Sequence, residues 1–178
     1  MARDFPEVKL LTKNAEIDAF LEELQAESDR AAAILGATML DEQLKKLLSA
    51  TFVSAASADE LLGQMKPIAT FSSRTSLARA IGLVSVEEHQ DLTRIRKICN
   101  DFAHELNGLT FNSDSIQRHC EQLNSARHAL AKPTNALIAE AYPQTNRTIF
   151  NLAVALNMVL LNKRIKGASR IAVATVKY

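Results

Sequence analysis

Apolar residues recur every three or four positions along most of this 178-residue chain, and that spacing predicts α-helix over most of its length. Ile17, Phe20, Leu21 and Leu24 open the pattern, with Asn14 placed to cap it, and the stripe runs on through Ala31, Ile34 and Leu35. A second stripe, Leu40, Leu44, Leu47, Leu48 and Phe52, is offset from the first. The offset fits either one long helix that rotates its buried face or two helices joined near Gly36, and continuity is the expectation. Ser57 with Glu60 reads as a Ser-x-x-Glu box opening a short helix that must stop before Pro67.

The stretch from Phe71 to Phe111 packs the densest helix signals. Ser72 or Ser73 can start a helix carrying Leu77, Ala80 and Ile81, with Gly82 ending it in a left-handed cap. Ser85 and Glu88 form a second box, and behind it Leu92, Ile95, Cys99, Phe102 and Leu106 fall on one stripe, ending at Gly108. Ser113 or Asp114 caps a helix with Ile116, Cys120 and Leu123 inward, and Pro133 and Pro143 bracket a short helical piece. The last helix, from about Thr145 to Lys166, carries Ile149, Phe150, Ala153, Leu156 and Leu160. Its terminal Lys163, Arg164 and Lys166 suit the negative end of the helix dipole, and Gly167 closes it. The alternating tail RIAVATVKY is a stray strand or a frayed end. The expected fold is an all-α, single-domain bundle of about six or seven helices spanning residues 1–178, irregular at 1–13 and in the tail at 168–178.

Composition narrows the functional classes. A formal net charge of +1 gives no global field to draw in DNA or an acidic membrane, so nucleic-acid binding would have to come from a local patch. Cys99 and Cys120 both sit inside apolar helical patterns, which suits a reducing compartment, and cytoplasm is the expectation. The N-terminus MARDFPEVKLL lacks an apolar core, and the run around Leu152 to Leu161 is interrupted by Asn157 and too short to span a bilayer. Neither export nor insertion is expected.

A local basic cluster raises the question of a helix-turn-helix, and LARAIGLVSVEEHQDL offers a superficial match through Ala78 and Gly82. The second helix, however, would need an apolar anchor where Glu88 or His89 stands, and Glu87, Glu88 and Asp91 would face phosphates with the wrong sign. The basic residues Arg74, Arg79, Arg94, Arg96 and Lys97 read either as a solvated face, with Arg94, Lys97 and Asp101 in intrahelical ion pairs, or as a patch for nucleic acid or an acidic partner protein.

Asn100 and His104 lie four residues apart, one above the other, as a candidate polar site. The segment Cys99-Asn100-Asp101-Phe102-Ala103-His104 resembles the Arg-Asn-x-x-x-His signature of the HEPN ribonucleases, helical proteins whose Arg and His serve RNA cleavage at a dimer seam. Here Cys stands in the Arg position, and a neutral thiol cannot stabilise a phosphorane. Arg96 is a poor substitute, its Cα lying roughly 12 Å along the axis from that of His104 against about 7.5 Å for position 99. The plainer reading is that Asn100 and His104 hydrogen-bond a loop or a neighbouring helix. His119, Cys120 and His128 do not converge on a metal, and no phosphate loop or nucleophile elbow is present; no cofactor and no metal are expected.

Four pieces of this unit, Phe71-Ser72-Ser73-Arg74, Leu77-Ala78 with Ile81-Gly82-Leu83, Ile95-Arg96-Lys97-Ile98 and Asn100-Asp101-Phe102-Ala103-His104, resemble the core of the mannitol operon repressor family. Cys99 departs from the Arg expected there. The resemblance implies an all-helical bacterial protein that represses a sugar-alcohol uptake operon without a standard DNA-binding motif, through operator DNA or another regulatory protein. No catalytic residue carries over. A homo-oligomer, such as a dimer, is expected from the apolar final helix and the long first helix. The alternative class is a HEPN-like RNA-processing or nucleotide-binding protein, catalytically impaired by Cys99.

Overall fold

The computed structural model describes residues 15–105, 108–131 and 144–174. Among them stand eight helices and no strand: α1 (Ala15–Ala26), α2 (Asp29–Thr51), α3 (Ala55–Leu62), α4 (Phe71–Ala80), α5 (Val86–His104), α6 (Asp114–Cys120), α7 (Asn124–Leu130) and α8 (Asn146–Gly167). The all-α architecture is the one the periodicity predicts. The Asn14 cap, Leu106, the piece between Pro133 and Pro143, the N-terminus 1–13 and residues 175–178 lie outside the described residues.

The helix expected to continue from Ile17 through Leu35 instead breaks between α1 and α2. Ser28 takes an extended conformation there and its hydroxyl accepts the Ala31 N–H, with Asp29 in the first turn facing the positive end of the dipole. At Gly36 the expected continuity holds. A Cβ at Gly36 would lie 3.1 Å from Val154 Cγ2 and 3.3 Å from Phe150 Cε1, so this glycine lets α8 approach α2 closely.

Other caps sit one turn from their predicted places. Ser54, not Ser57, caps α3, and Ser57 supplies the N–H that it accepts. Thr70 caps α4 in a reciprocal box with Ser73, while Gly82 adopts the expected left-handed φ of 78°. The Ser85–Glu88 box on α5 forms as predicted, with both reciprocal bonds present.

The core centres on α8. Residues 150 to 155 are all buried, so over that stretch the helix is enclosed on every side rather than along one stripe. It is surrounded by α1, α2, α5, α6 and α7, and Phe150 continues a chain of tilted rings, Phe102, Phe111 and Phe150, each 5.1 Å from the next. The apolar surface that suggested a second, intermolecular face is therefore largely covered within the chain.

Arg147, in the first turn of α8, ties this corner together. It pairs with Asp29 at 2.6 Å, donates to the carbonyls of Leu24 and Glu27 that end α1, and lies 5.3 Å over the Phe111 ring. At the opposite end the tail residues 168–174 form no strand, yet they are not free. The Ile171 N–H donates to the Thr51 carbonyl at 2.8 Å, and Arg170 donates to that of Phe52, satisfying carbonyls at the end of α2.

Candidate interaction surface

α5 carries every candidate except Arg74 and Arg79, and buried carboxylates in its first two turns set its position. Asp91, 1% exposed, accepts the backbone N–H groups of Asn124 at 2.7 Å and Ser125 at 2.8 Å, capping α7 from outside because Leu123 cannot. Glu88 takes a two-pronged ion pair from Arg164 of α8, at 2.6 and 2.9 Å, and the Ser85 N–H at 2.7 Å. Burial pushes the Glu88 carboxyl up, but the bonds from Arg164 and Ser85 outweigh it and hold the group below its ordinary range. These carboxylates therefore disqualify a recognition helix for a reason other than charge sign: Glu88 and Asp91 point into the bundle, where they anchor α5 to α8 and α7.

The five basic residues do not form one patch. Arg74 is a correction to the predicted surface, because it is only 5% exposed, pairs with Asp41 at 2.6 Å and donates to the carbonyls of Ile68 and Leu62. Burial outweighs that pairing at Asp41, whose carboxyl stands above its ordinary value. The guanidinium thus fixes the loop between α3 and α4 against α2 and presents nothing to a partner. Arg79 is exposed at the end of α4, reaching the Val84 carbonyl at 3.5 Å. Arg96 is half-buried and Lys97 is exposed. Arg94 is half-buried, donates to Gln122 Oε1 at 3.3 Å and stands 3.8 Å from Asp91.

Asn100 and His104 are exposed, and among the described residues neither side chain has a hydrogen-bond partner. The loop or helix they were expected to hold is not engaged. Burial pushes the half-buried Cys99 thiol up, so the residue in the signature's Arg position is neutral at physiological pH. Cys120, fully buried, is pushed up to about 12 and is equally inert. Among the described residues no three His, Cys, Asp or Glu side chains gather as a metal would require.

The basic face of α5 has a neighbour, α6, that the sequence pattern does not mark. The packing of α6 on α5 puts His119 within electrostatic reach of Lys97, Arg94 and Asp101. Burial lowers the His119 ring's proton affinity, and the three neighbouring cations lower it further against the opposing pull of Asp101. Nothing in the local pattern of α6 marks this, because the contact depends on how α6 packs across α5. A groove of about 400 Å³ lies on the other flank of α5, between α7 and α8, with Leu156, Val159 and Leu160 as its apolar wall and Glu87 and His128 among its polar lining. No helix among the described residues is long and apolar enough to cross a membrane.

The model of a family described as mannitol repressor matches residues 16–170. The fold is similar to a chain in the X-ray structure of the MtlR–HPr complex from Escherichia coli, at 20% identity and a TM-score of 0.67, covering 83% of this chain and 99% of that one. It is also similar to a possible transcriptional regulator, YggD, from Shigella flexneri 2a, at 19% identity and a TM-score of 0.60, covering 85% of this chain and 96% of that one. No curated protein matches the chain. At these identities the two structures establish a shared fold. The family match, however, spans α1 to α8, including the Ser85–Glu88 box, the α5 candidates and the Arg147 corner, and with it this chain belongs to the mannitol repressor family.

Proposed function

We propose that this chain is a cytoplasmic, single-domain transcriptional regulator that represses a sugar-alcohol utilisation operon by contacting another protein rather than by reading bases. The observation that carries this reading is the family match over residues 16–170. Two structural facts support the protein-contact form. The first turns of α5 are committed to the bundle through Glu88 and Asp91, so α5 has no free leading end to enter a groove. Of the five basic candidates only Arg79, at the end of α4, and Lys97, on α5, are exposed, fewer than the series of phosphate contacts on which operator affinity rests.

One relative by fold is in complex with HPr, and an HPr-type protein is accordingly the partner proposed for this chain. Arg79, Arg94, Arg96 and Lys97 remain the candidate contact residues on the α4–α5 side, with Arg74 removed from that set, and Asn100 and His104 supply uncommitted polar groups beside them. The reading is non-enzymatic: the neutral Cys99 thiol leaves Asn100 and His104 without the cation that RNA cleavage requires. Self-association, expected from the apolar final helix and the long first helix, has less support from the former because most of α8 lies in the core; a monomer by light scattering at micromolar concentration removes it.

Two measurements on the purified full-length chain test the reading. Gel shift with the promoter beside its own gene is expected to show no specific band from the chain alone, and capture on immobilised HPr from the same host is expected to retain it. Specific retardation of the promoter with no HPr capture would replace protein contact by direct operator binding.

A further inference from the structure

Met65, in the loop between α3 and α4, is the most exposed of the large apolar residues at 99%, and its φ of 60° lies in the left-handed region. The Lys66 N–H bonds the Gly63 carbonyl at 3.3 Å, which makes Met65 the third residue of a turn whose second residue, Gln64, keeps a negative φ. A turn of that kind favours glycine at its third position, so methionine is strained there. The turn is also braced from both sides. The Ile68 N–H donates to the Leu61 carbonyl at 2.9 Å, the Ala69 N–H donates to the Lys66 carbonyl at 3.1 Å, and Arg74 clasps the carbonyls of Leu62 and Ile68. A lone exposed apolar side chain is ordinary on a protein surface. One held out by a strained backbone on a braced loop is not, because glycine would suit the fold better at that position.

The same chain carries a socket of matching chemistry. Leu156, Val159 and Leu160 wall the groove of about 400 Å³ between α5, α7 and α8, and Leu160 is itself exposed. Three carboxylates line this groove, and two are engaged. Glu88 is held by Arg164 at 2.6 and 2.9 Å, and Asp91 by the N–H groups of Asn124 and Ser125, with Arg94 3.8 Å away. Glu87, the third, is exposed at the rim and has the His128 ring 3.6 Å away as its neighbour, while the exposed Lys163 of α8 stands outside the lining. Lys66, beside Met65, is exposed and has no ion-pair partner among the described residues. The protruding turn thus carries a cation next to its apolar tip, and the groove carries a carboxylate next to its apolar wall.

We propose that the Met65 turn docks into the α5–α7–α8 groove of a second copy of this chain, with Lys66 against Glu87. Two-fold symmetry makes the contact reciprocal, so each copy gives one turn and receives one, and the pair closes as a dimer. The unbranched thioether adapts to an irregular apolar wall, and the braced turn spares much of the ordering cost of binding. This contact deepens the self-association expected above and does not depend on the operon reading.

Sedimentation equilibrium on the full-length chain tests it. The wild type is expected to be a dimer at tens of micromolar. Met65→Gly is expected to raise the urea midpoint, because it relieves the turn, and yet to weaken the dimer at least tenfold, two effects of opposite sign that a merely structural residue would not produce. Leu160→Glu is expected to weaken the dimer similarly while circular dichroism stays unchanged. Lys66→Glu and Glu87→Lys are each expected to weaken it, and the double variant to recover it. A wild-type monomer would remove self-association and this contact together. A dimer that survives Met65→Gly, or a double charge swap that recovers nothing, would remove this contact alone. If that surviving dimer also loses capture on immobilised HPr, the turn belongs to that partner instead.

Discussion

Replacing Asp91 by Ala removes the acceptor for two backbone N–H groups at the start of α7, a helix of seven residues too short to persist without tertiary support. Asp91 is 1% exposed, so water does not readily take over. Taking the low end of ~1.5 kcal/mol for each hydrogen bond to a charged group gives a loss of ~3 kcal/mol. With an m-value of about 2 kcal/mol/M, the urea midpoint falls by about 1.5 M. A double-mutant cycle isolates the bond itself. Asn124 is the first helical residue of α7, and Leu123 before it is extended at φ −72° and ψ 108°, so Asn124→Pro is compatible with the backbone while deleting one of the two donors. In that background Asp91→Ala is expected to cost only ~1.5 kcal/mol, one charged hydrogen bond instead of two. An equal cost in both backgrounds, or a midpoint that does not move in the first, would refute the assignment of Asp91 as an external cap.

Glu88 titrates below its ordinary value of 4.5 in the folded state, so its contribution is present above that value and is lost as pH falls through the lower folded value. Glu88→Gln should accordingly cost most above pH 5 and least near pH 2, and a pH-independent difference from wild type contradicts this; Asp41, which shifts the opposite way, is common to both proteins. Arg147→Met removes two carbonyl caps and the Asp29 pair. Because Asp29 is 37% exposed, the caps dominate, and a loss of ~3 kcal/mol lowers Tm by roughly 6–12 °C, whereas a drop within 2 °C would show the corner to be held otherwise. Gly36→Ala gains ~1 kcal/mol of helix propensity but drives a methyl against Val154 and Phe150, and a net loss of ~1 kcal/mol is expected by chemical denaturation; a stabilised variant would mean that α8 yields easily.

Where local chemistry decides the structure, it is legible in the chain. The α5 box needs only Ser85 and Glu88 in register, and the stripe of Leu92, Ile95 and Phe102 fixes which side faces inward. Ser28 was equally readable as a cap ahead of Asp29, but the continuous apolar period across it hid the break. Long-range pairing is not legible in this way. Arg74 and Arg94 look alike as basic helix residues, yet Asp41 and the carbonyls of Leu62 and Ile68 draw the first inside, and that depends on how α4 crosses α2. Glu88 presents the same difficulty: its cap role follows from Ser85, whereas its pairing with Arg164 joins positions 76 residues apart. His119 gains its meaning only from cations on another helix.

Restraint of a sugar-alcohol operon is what we propose for this member of the mannitol repressor family. Deleting its gene in the host and measuring the transcript of the mannitol-transport operon in cells grown without the sugar tests that claim most directly. A several-fold rise, reversed by the wild-type chain supplied in trans, is expected. A transcript that stays level in the deletion strain, with and without the sugar, would contradict it.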